Sequence, residues 1–261
     1  MKRRLLPAFS ALVLIYLFLP IAWIVVFSFN RPAGRQNISW NEFTLDYWRN
    51  PFGDRPLTDA FVQSMKIAAV ACVIATIFGA MMALAASRYE FRGSGFVNIL
   101  VVLPLTSPEI VMGSSLFTLF FNRGVTLGFA TVAIAHILFC ISFVALTVRA
   151  RIRGFDWTLE DAAMDLGAGP LRTFARVTFP LILPGILAAG LLSFALSIDD
   201  YIITSFVAGD ALVTFPMRVF NQARTQTPPY INVLATIILL VCVGLMVGGV
   251  LRGARRQKAA G

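Results

Sequence analysis

The stretch LILPGILAAGLLSFALSIDDYIITSFVAG, residues 181–209, sets two adjacent carboxylates, Asp199 and Asp200, inside an otherwise apolar run. Its length exceeds the about 20 residues that cross the hydrocarbon core of a bilayer. One aspartate at the centre of a membrane helix costs roughly 2.5–3.5 kcal/mol on insertion scales, and two facing lipid would cost about twice that. Intramembrane carboxylates therefore face a bundle interior or a water-filled path, where they serve function. The alternative is that the pair caps or pins a broken helix. Adjacent helical residues point about 100° apart, so both aspartates face one narrow path only if the helix unwinds.

The rest of the chain is equally apolar. Of its 261 residues 58% are hydrophobic and 13% charged, with 23 Phe. That apolar surface exceeds what one soluble core hides, and the composition reads as a polytopic, all-α integral membrane protein. Six runs are long enough to span: 5–29, 67–87, 96–121, 125–148, 181–209 and 231–251. The third carries only Glu109 and the fourth only His136, while the first, second and sixth carry no charge. Lys2-Arg3-Arg4 ahead of the first run resembles a signal-peptide start. The run is too long for such a segment and no small-residue cleavage site follows, so an uncleaved first helix is expected.

The net charge of +9 does not mark nucleic-acid binding, because the basic residues sit in short clusters between and beyond the apolar runs. That is the topology signal of a membrane protein. With the N-terminus inside, 14 of the Lys and Arg residues fall on the inner side and eight outside or at its margins, which puts both termini in the cytoplasm. Cys72, Cys140 and Cys242 lie in three different apolar runs without metal-ligand spacing and read as packed, reduced thiols. His136 stands alone and reads as a hydrogen-bonded interhelical residue rather than a metal ligand.

Two loops are too long for simple turns. In the outer one, 30–63, the spacing of Trp40, Phe43, Tyr47 and Trp48 predicts an interfacial helix with aromatics on one face; docking of an external partner is the sharper reading. The inner loop, 149–180, contains TLEDAAMDLGAG at 158–169. Thr158 and Asp161 form a candidate capping pair, and the early acids suit the helix dipole. Gly167 and Gly169 end that helix and Pro170 starts another. The prediction is two short helices joined by a sharp glycine turn, with Ala162 and Ala163 forming a small, flat face. Composition leaves open whether this is a docking element or a connector.

Asp161-Ala162-Ala163, Gly167, Val177, Phe179 and Pro180 resemble the E-A-A-x-x-x-G-x9-I-x-L-P loop of the permease subunits of ABC importers. Asp161, Val177 and Phe179 replace Glu, Ile and Leu of that pattern. Over nearly the whole chain the sequence is similar to the second permease subunit of spermidine/putrescine importers, through FSFN (27–30), ISWNEFT (38–44), SPEIVMGSSL (107–116), AHILFC (135–140), DAAMDLGA (161–168), LSFALSIDDYIITSFVAG (192–209) and NVLATIILL (232–240). The resemblance implies a single permease domain over 1–261. It implies the type I ABC importer permease architecture, six transmembrane helices with a cytoplasmic coupling helix, in a bacterial cytoplasmic (inner) membrane. It implies that Asp161, Ala162, Ala163, Gly167 and Pro180 belong to the loop that docks into a groove on an ATPase subunit. Its implied partners are a second, different permease subunit, two copies of the ATPase subunit, a periplasmic or extracellular substrate-binding protein and membrane lipid, with ATP and magnesium held on the ATPase.

Cationic cargo suits the acids of this chain. A polyamine carries two or more ammonium groups on methylene chains, and its transfer requires fixed negative groups to replace water. Pro104 and Pro108 precede Glu109, so the third span is expected to be kinked or broken there. Broken helices build transport sites. Glu109, Asp199 and Asp200 are the expected path residues, with Tyr201 as a candidate cation–π wall. The same machine with an opine, an amino acid derivative, a metal ion or an organophosphonate as cargo is the nearest alternative; a channel or membrane scaffold without an ATPase is a remoter one. The chain has no G-x-x-x-x-G-K-[ST] loop, so no cofactor and no ATP is expected on it, and no hydrolytic constellation marks it as an enzyme.

Overall fold

The computed structural model describes residues 2–89 and 92–259. The chain forms two compact units, Met1–Phe61 with Met217–Val243, and Val62–Pro216 with Gly244–Gly261.

The first unit opens with helix α1, Lys2–Phe27, which contains Pro7 and Pro20. The apolar window within Phe9–Phe27 is wholly unburied, a surface that suits lipid or another subunit. After α1 the chain forms a two-stranded antiparallel ladder, β1 (Asn30–Arg31) with β2 (Glu42–Phe43), and a four-residue helix α2, Asp46–Arg49. The predicted aromatic interfacial helix is therefore corrected: only Tyr47 and Trp48 are helical. Asparagine side chains take the hydrogen bonds that a helix would need. Asn30 Nδ2 donates to Asn37 Oδ1 (2.7 Å) and to Ser39 O (2.8 Å), and Asn37 Nδ2 donates to Phe27 O (2.8 Å). The aromatics close the loop by stacking instead, with Phe29 between Phe43 (5.8 Å) and Trp48 (5.3 Å).

Helix α3 is Arg55–Arg88. In the second unit follow α4 (Ser94–Thr106) and α5 (Glu109–Asn122), which meet at 109° across Ser107-Pro108. The expected break in the third span is present. Pro108 makes it, because the residue before a proline is driven to extended backbone, and Ser107 is extended (ψ 133°). Pro104 sits inside α4 without ending it. Helix α6 is Phe129–Ile152, α7 Thr158–Asp165 and α8 Pro170–Thr173. A π-helical turn, Phe174–Thr178, leads into α9, Phe179–Asp199. Helices α10 (Ile202–Val207), α11 (Phe215–Ala223) and α12 (Pro229–Ala259) complete the chain. Among the described residues four helices are long and apolar enough to cross a membrane, or five if the bent α4–α5 pair is counted as one span, while the apolar part of α12, Pro229–Gly244, is shorter. The predicted sixth run lies within α12.

Helix α6 is the hub of the second unit, packed against α4, α5, α9 and α10. In lipid, apolar surface alone does not drive helices together, and small residues allow close approach. Gly79 on α3 is such a point: a Cβ there would lie 2.7 Å from Val144 Cβ and 2.9 Å from Ile141 O. Cys72 on α3 donates from Sγ to Gly190 O on α9 (3.1 Å), where a Cβ would meet Thr76 Oγ1 at 3.0 Å. Gly79→Val is expected to overpack the α3–α6 contact by about 1–3 kcal/mol and lower the melting temperature of the purified protein. Gly244→Val, whose added carbon meets open space, should leave it unchanged.

Candidate functional site

The apolar run that holds the paired aspartates is broken where they stand. Helix α9 ends at Asp199, Asp200 is extended (φ −64°, ψ 121°), and α10 starts at Ile202. The Asp200 carboxylate turns back over the new helix. Its Oδ2 accepts from Thr204 N (2.8 Å) and Thr204 Oγ1 (2.6 Å), and Oδ1 accepts from Ile203 N (3.3 Å). His136 on α6 lies against the same oxygen, with Nε2 at 3.2 Å from Asp200 Oδ2 and 2.9 Å from Thr204 Oγ1. Its Nδ1 is 2.7 Å from Ser197 Oγ. Both Nε2 neighbours call for a donor, since one is a carboxylate and the other has given its proton to that carboxylate. Nε2 therefore carries a proton, and in the neutral ring Nδ1 accepts from Ser197. The expected interhelical role of His136 holds. At its other end α10 is tied to α6 by Thr131 Oγ1, which donates to Val207 O (2.7 Å).

The three acids separate. The side chain of Asp200 is 6% exposed. Asp199 and Glu109 are exposed, and neither has a hydrogen bond or ion pair among the described residues. Glu109 is the first residue of α5, where the helix dipole favours an anion. Ile203 and Phe206 of α10 lie on Gly113 of α5, one turn beyond Glu109, so the two broken elements pack together. Tyr201 is half-buried and directly precedes α10. No group of three or more His, Cys, Asp or Glu among the described residues is arranged to hold a metal ion.

The inner loop forms the first predicted short helix, α7, and Pro170 starts the second, but α8 is not a separate short helix: it runs on through the π-turn and α9 to Asp199. Gly167 adopts φ +85° and turns the chain between them, a conformation that glycine takes without a Cβ clash. The capping pair is corrected. Thr158 is inside α7, and the side chain that receives it is Asp156, which accepts from Thr158 N (3.1 Å) and Thr158 Oγ1 (2.7 Å). The Thr158 hydroxyl, and then its amide, hold the Asp156 carboxyl below its usual range. Asp161, Ala162, Gly167 and Pro180 are exposed and Ala163 is half-buried. Leu166 and Leu171 are 91% and 85% exposed, and Leu166 borders a shallow groove of about 240 Å³ whose lining also includes Ala163, Gly167, Ala168, Arg172, Thr173, Arg176 and Val177.

Sequence reasoning missed two features. One is the Ser197–His136–Thr204 set around Asp200, whose signal is the polar residues placed three before and four after Asp200, on either side of the break. The other is Glu160, which is buried while its neighbour Asp161 is not. Nothing in the local pattern separates those two acids.

The chain as a whole has known relatives. Residues 75–256 match the family described as binding-protein-dependent transport system inner membrane component, and the chain belongs to that family. It is thus a multi-pass inner-membrane permease and, by family, not an enzyme. It is 38% identical over 240 residues to the spermidine/putrescine transport system permease protein PotC of Haemophilus influenzae, covering 92% of this chain and 93% of that protein. It is 35% identical over 252 residues to the putrescine transport system permease protein PotI of Escherichia coli, covering 93% and 89%. Among solved structures it resembles a chain of a bacterial ABC transporter that imports alginate (TM-score 0.68, 16% identity, 97% of each chain). It also resembles a chain of an amino acid ABC transporter (TM-score 0.60, 18% identity, 82% of this chain and all of that one). The fold is the all-α type I ABC importer permease architecture.

The surroundings of the two aspartates predict different effects of removing them. Asp200→Ala leaves buried donors unmatched, at about 1–3 kcal/mol, and should lower the melting temperature of the purified protein. Asp199→Ala should leave it unchanged.

Proposed function

We propose that this chain is a permease subunit of an ATP-driven importer of polyamines, spermidine and putrescine being the expected cargo. The observation that carries the reading is its identity, over more than nine-tenths of its length, to permeases named for those two compounds. The chemistry agrees. A cation with several ammonium groups, leaving water, needs fixed negative charge that is not already neutralised. Asp199 and Glu109 offer exposed carboxylates, unpaired among the described residues, at two broken helices. Asp200 contributes to the same path by holding the break that presents Asp199, and Tyr201 contributes an aromatic wall beside it.

The driving force enters from a separate protein. The loop 149–180 presents Asp161, Ala162, Ala163, Gly167 and Pro180 to an ATPase subunit that binds ATP and magnesium; the exposed Leu166 and Leu171 give that contact an apolar component. A second, different permease supplies the other half of the path, two ATPase copies dock below, and a substrate-binding protein delivers cargo from outside. Both termini lie in the cytoplasm, on the side of the basic excess.

The test is uptake of labelled spermidine and putrescine by the reconstituted importer. One charge-assisted contact is worth about 1.5–3 kcal/mol. Asp199→Asn and Glu109→Gln are therefore each expected to reduce uptake at limiting cargo about tenfold or more, with normal insertion. Unchanged uptake in both variants would remove these acids from the path. Gly167→Val should block the turn at φ +85° and abolish uptake while the protein still inserts; wild-type uptake would reject a docking role for the loop.

A further inference from the structure

Helix α7 has one buried residue, Glu160. Its side chain is 4% exposed and is shared among three segments. Arg88, the last residue of α3, approaches it with both terminal nitrogens, Nη2 at 2.8 Å from Oε2 and Nη1 at 3.4 Å from Oε1. Thr178, the residue before α9, donates its hydroxyl to Oε1. The Arg88 guanidinium also lies 5.7 Å from the centre of the Trp157 ring, on the residue that precedes α7. One carboxylate thus gathers the inner end of α3, the start of α7 and the start of α9.

Among the described residues, Glu160 is also the only side chain of α7 with a hydrogen bond or ion pair to another element. Asp161 and Ala162 point outward, and the turn at Gly167 has open space around it. Helix α7 also packs on α8 and the π-turn that lead into α9, but its bonded, buried link to α3 is this carboxylate. A carboxylate–guanidinium fork suits that role, because its two parallel bonds fix direction as well as distance.

We infer that the Glu160–Arg88–Thr178 junction transmits displacement of the docking helix α7 to the membrane helices α3 and α9. Glu160 is then a positioning residue for transport, distinct from the exposed residues that meet the ATPase. This rests on the reading that the loop docks an ATPase. It adds which bond carries the motion inward.

The measurement is cargo imported per ATP hydrolysed by the complete importer in proteoliposomes, alongside co-purification of the ATPase subunit and the melting temperature of the complex. Glu160→Gln keeps the shape and removes the charge. Arg88→Met with Glu160→Leu replaces the whole pair by apolar groups, which leaves no unpaired buried charge to disturb the fold. Both variants are expected to retain the ATPase subunit and to hydrolyse ATP, with cargo moved per ATP reduced about tenfold. The double variant should melt within a few degrees of wild type. A cargo-per-ATP ratio within about twofold of wild type in either variant that assembles would overturn the junction's role, as would a loss explained wholly by a lowered melting temperature. If the ATPase subunit fails to co-purify even with the unaltered permease, it is the docking reading that falls.

Discussion

A helix broken inside a membrane leaves backbone N–H groups with no water to meet them, and each unsatisfied group costs several kcal/mol there. The Asp200 carboxylate removes that cost at the α9–α10 break by accepting from Ile203 and Thr204. The carboxylate is itself a charge that needs company, and His136 and the Thr204 hydroxyl supply it. Ser197 then fixes the other side of the imidazole. The break, the seating of α10 on α5 and the outward presentation of Asp199 all follow from this one bonded group.

The same division appears at the inner loop. Asp199 and Asp200 are adjacent acids of which one is buried and one exposed, and so are Glu160 and Asp161. In each pair the buried acid is bonded within the chain, and its neighbour has no described partner. Neighbouring side chains on a helix diverge by about 100°, and a break widens the choice further. A bonded acid gives the element a fixed position, which an isolated buried charge would not. The free acid beside it then has a defined direction without using its own charge to hold the chain.

The features legible in the sequence are those with a single physical reading. Apolar length marked the spans, Pro108 marked the break after α4, and Gly167 with Pro170 marked the α7–α8 turn. The lone His136 inside an apolar run had to find partners on another helix, and it did. Features that depend on competition between equivalent groups were hidden. The aromatic spacing at 40–48 suits a helix, but Asn30 and Asn37 take up the loop's backbone groups first. Thr158 is flanked by acids on both sides, and the acid two residues before it, rather than three after, receives its hydroxyl. Which aspartate of the pair turns inward is marked locally only by Ser197 and Thr204 at three before and four after Asp200; the arrival of His136 from α6 is a long-range fact.

The divided roles also bear on selectivity. Asp200 is satisfied without cargo, by His136, Ile203 and Thr204. The exposed carboxylates, in contrast, have no described partner, and in the proposed path the field that they offer a cation would be set by their number and spacing rather than by a closed cage of ligands. Such a field suits a flexible, multiply charged chain better than a compact metal ion, which demands several oxygen ligands at fixed distance. In the proposed importer, an extended cation would be met by carboxylates on two broken helices, Glu109 at the start of α5 and Asp199 at the end of α9.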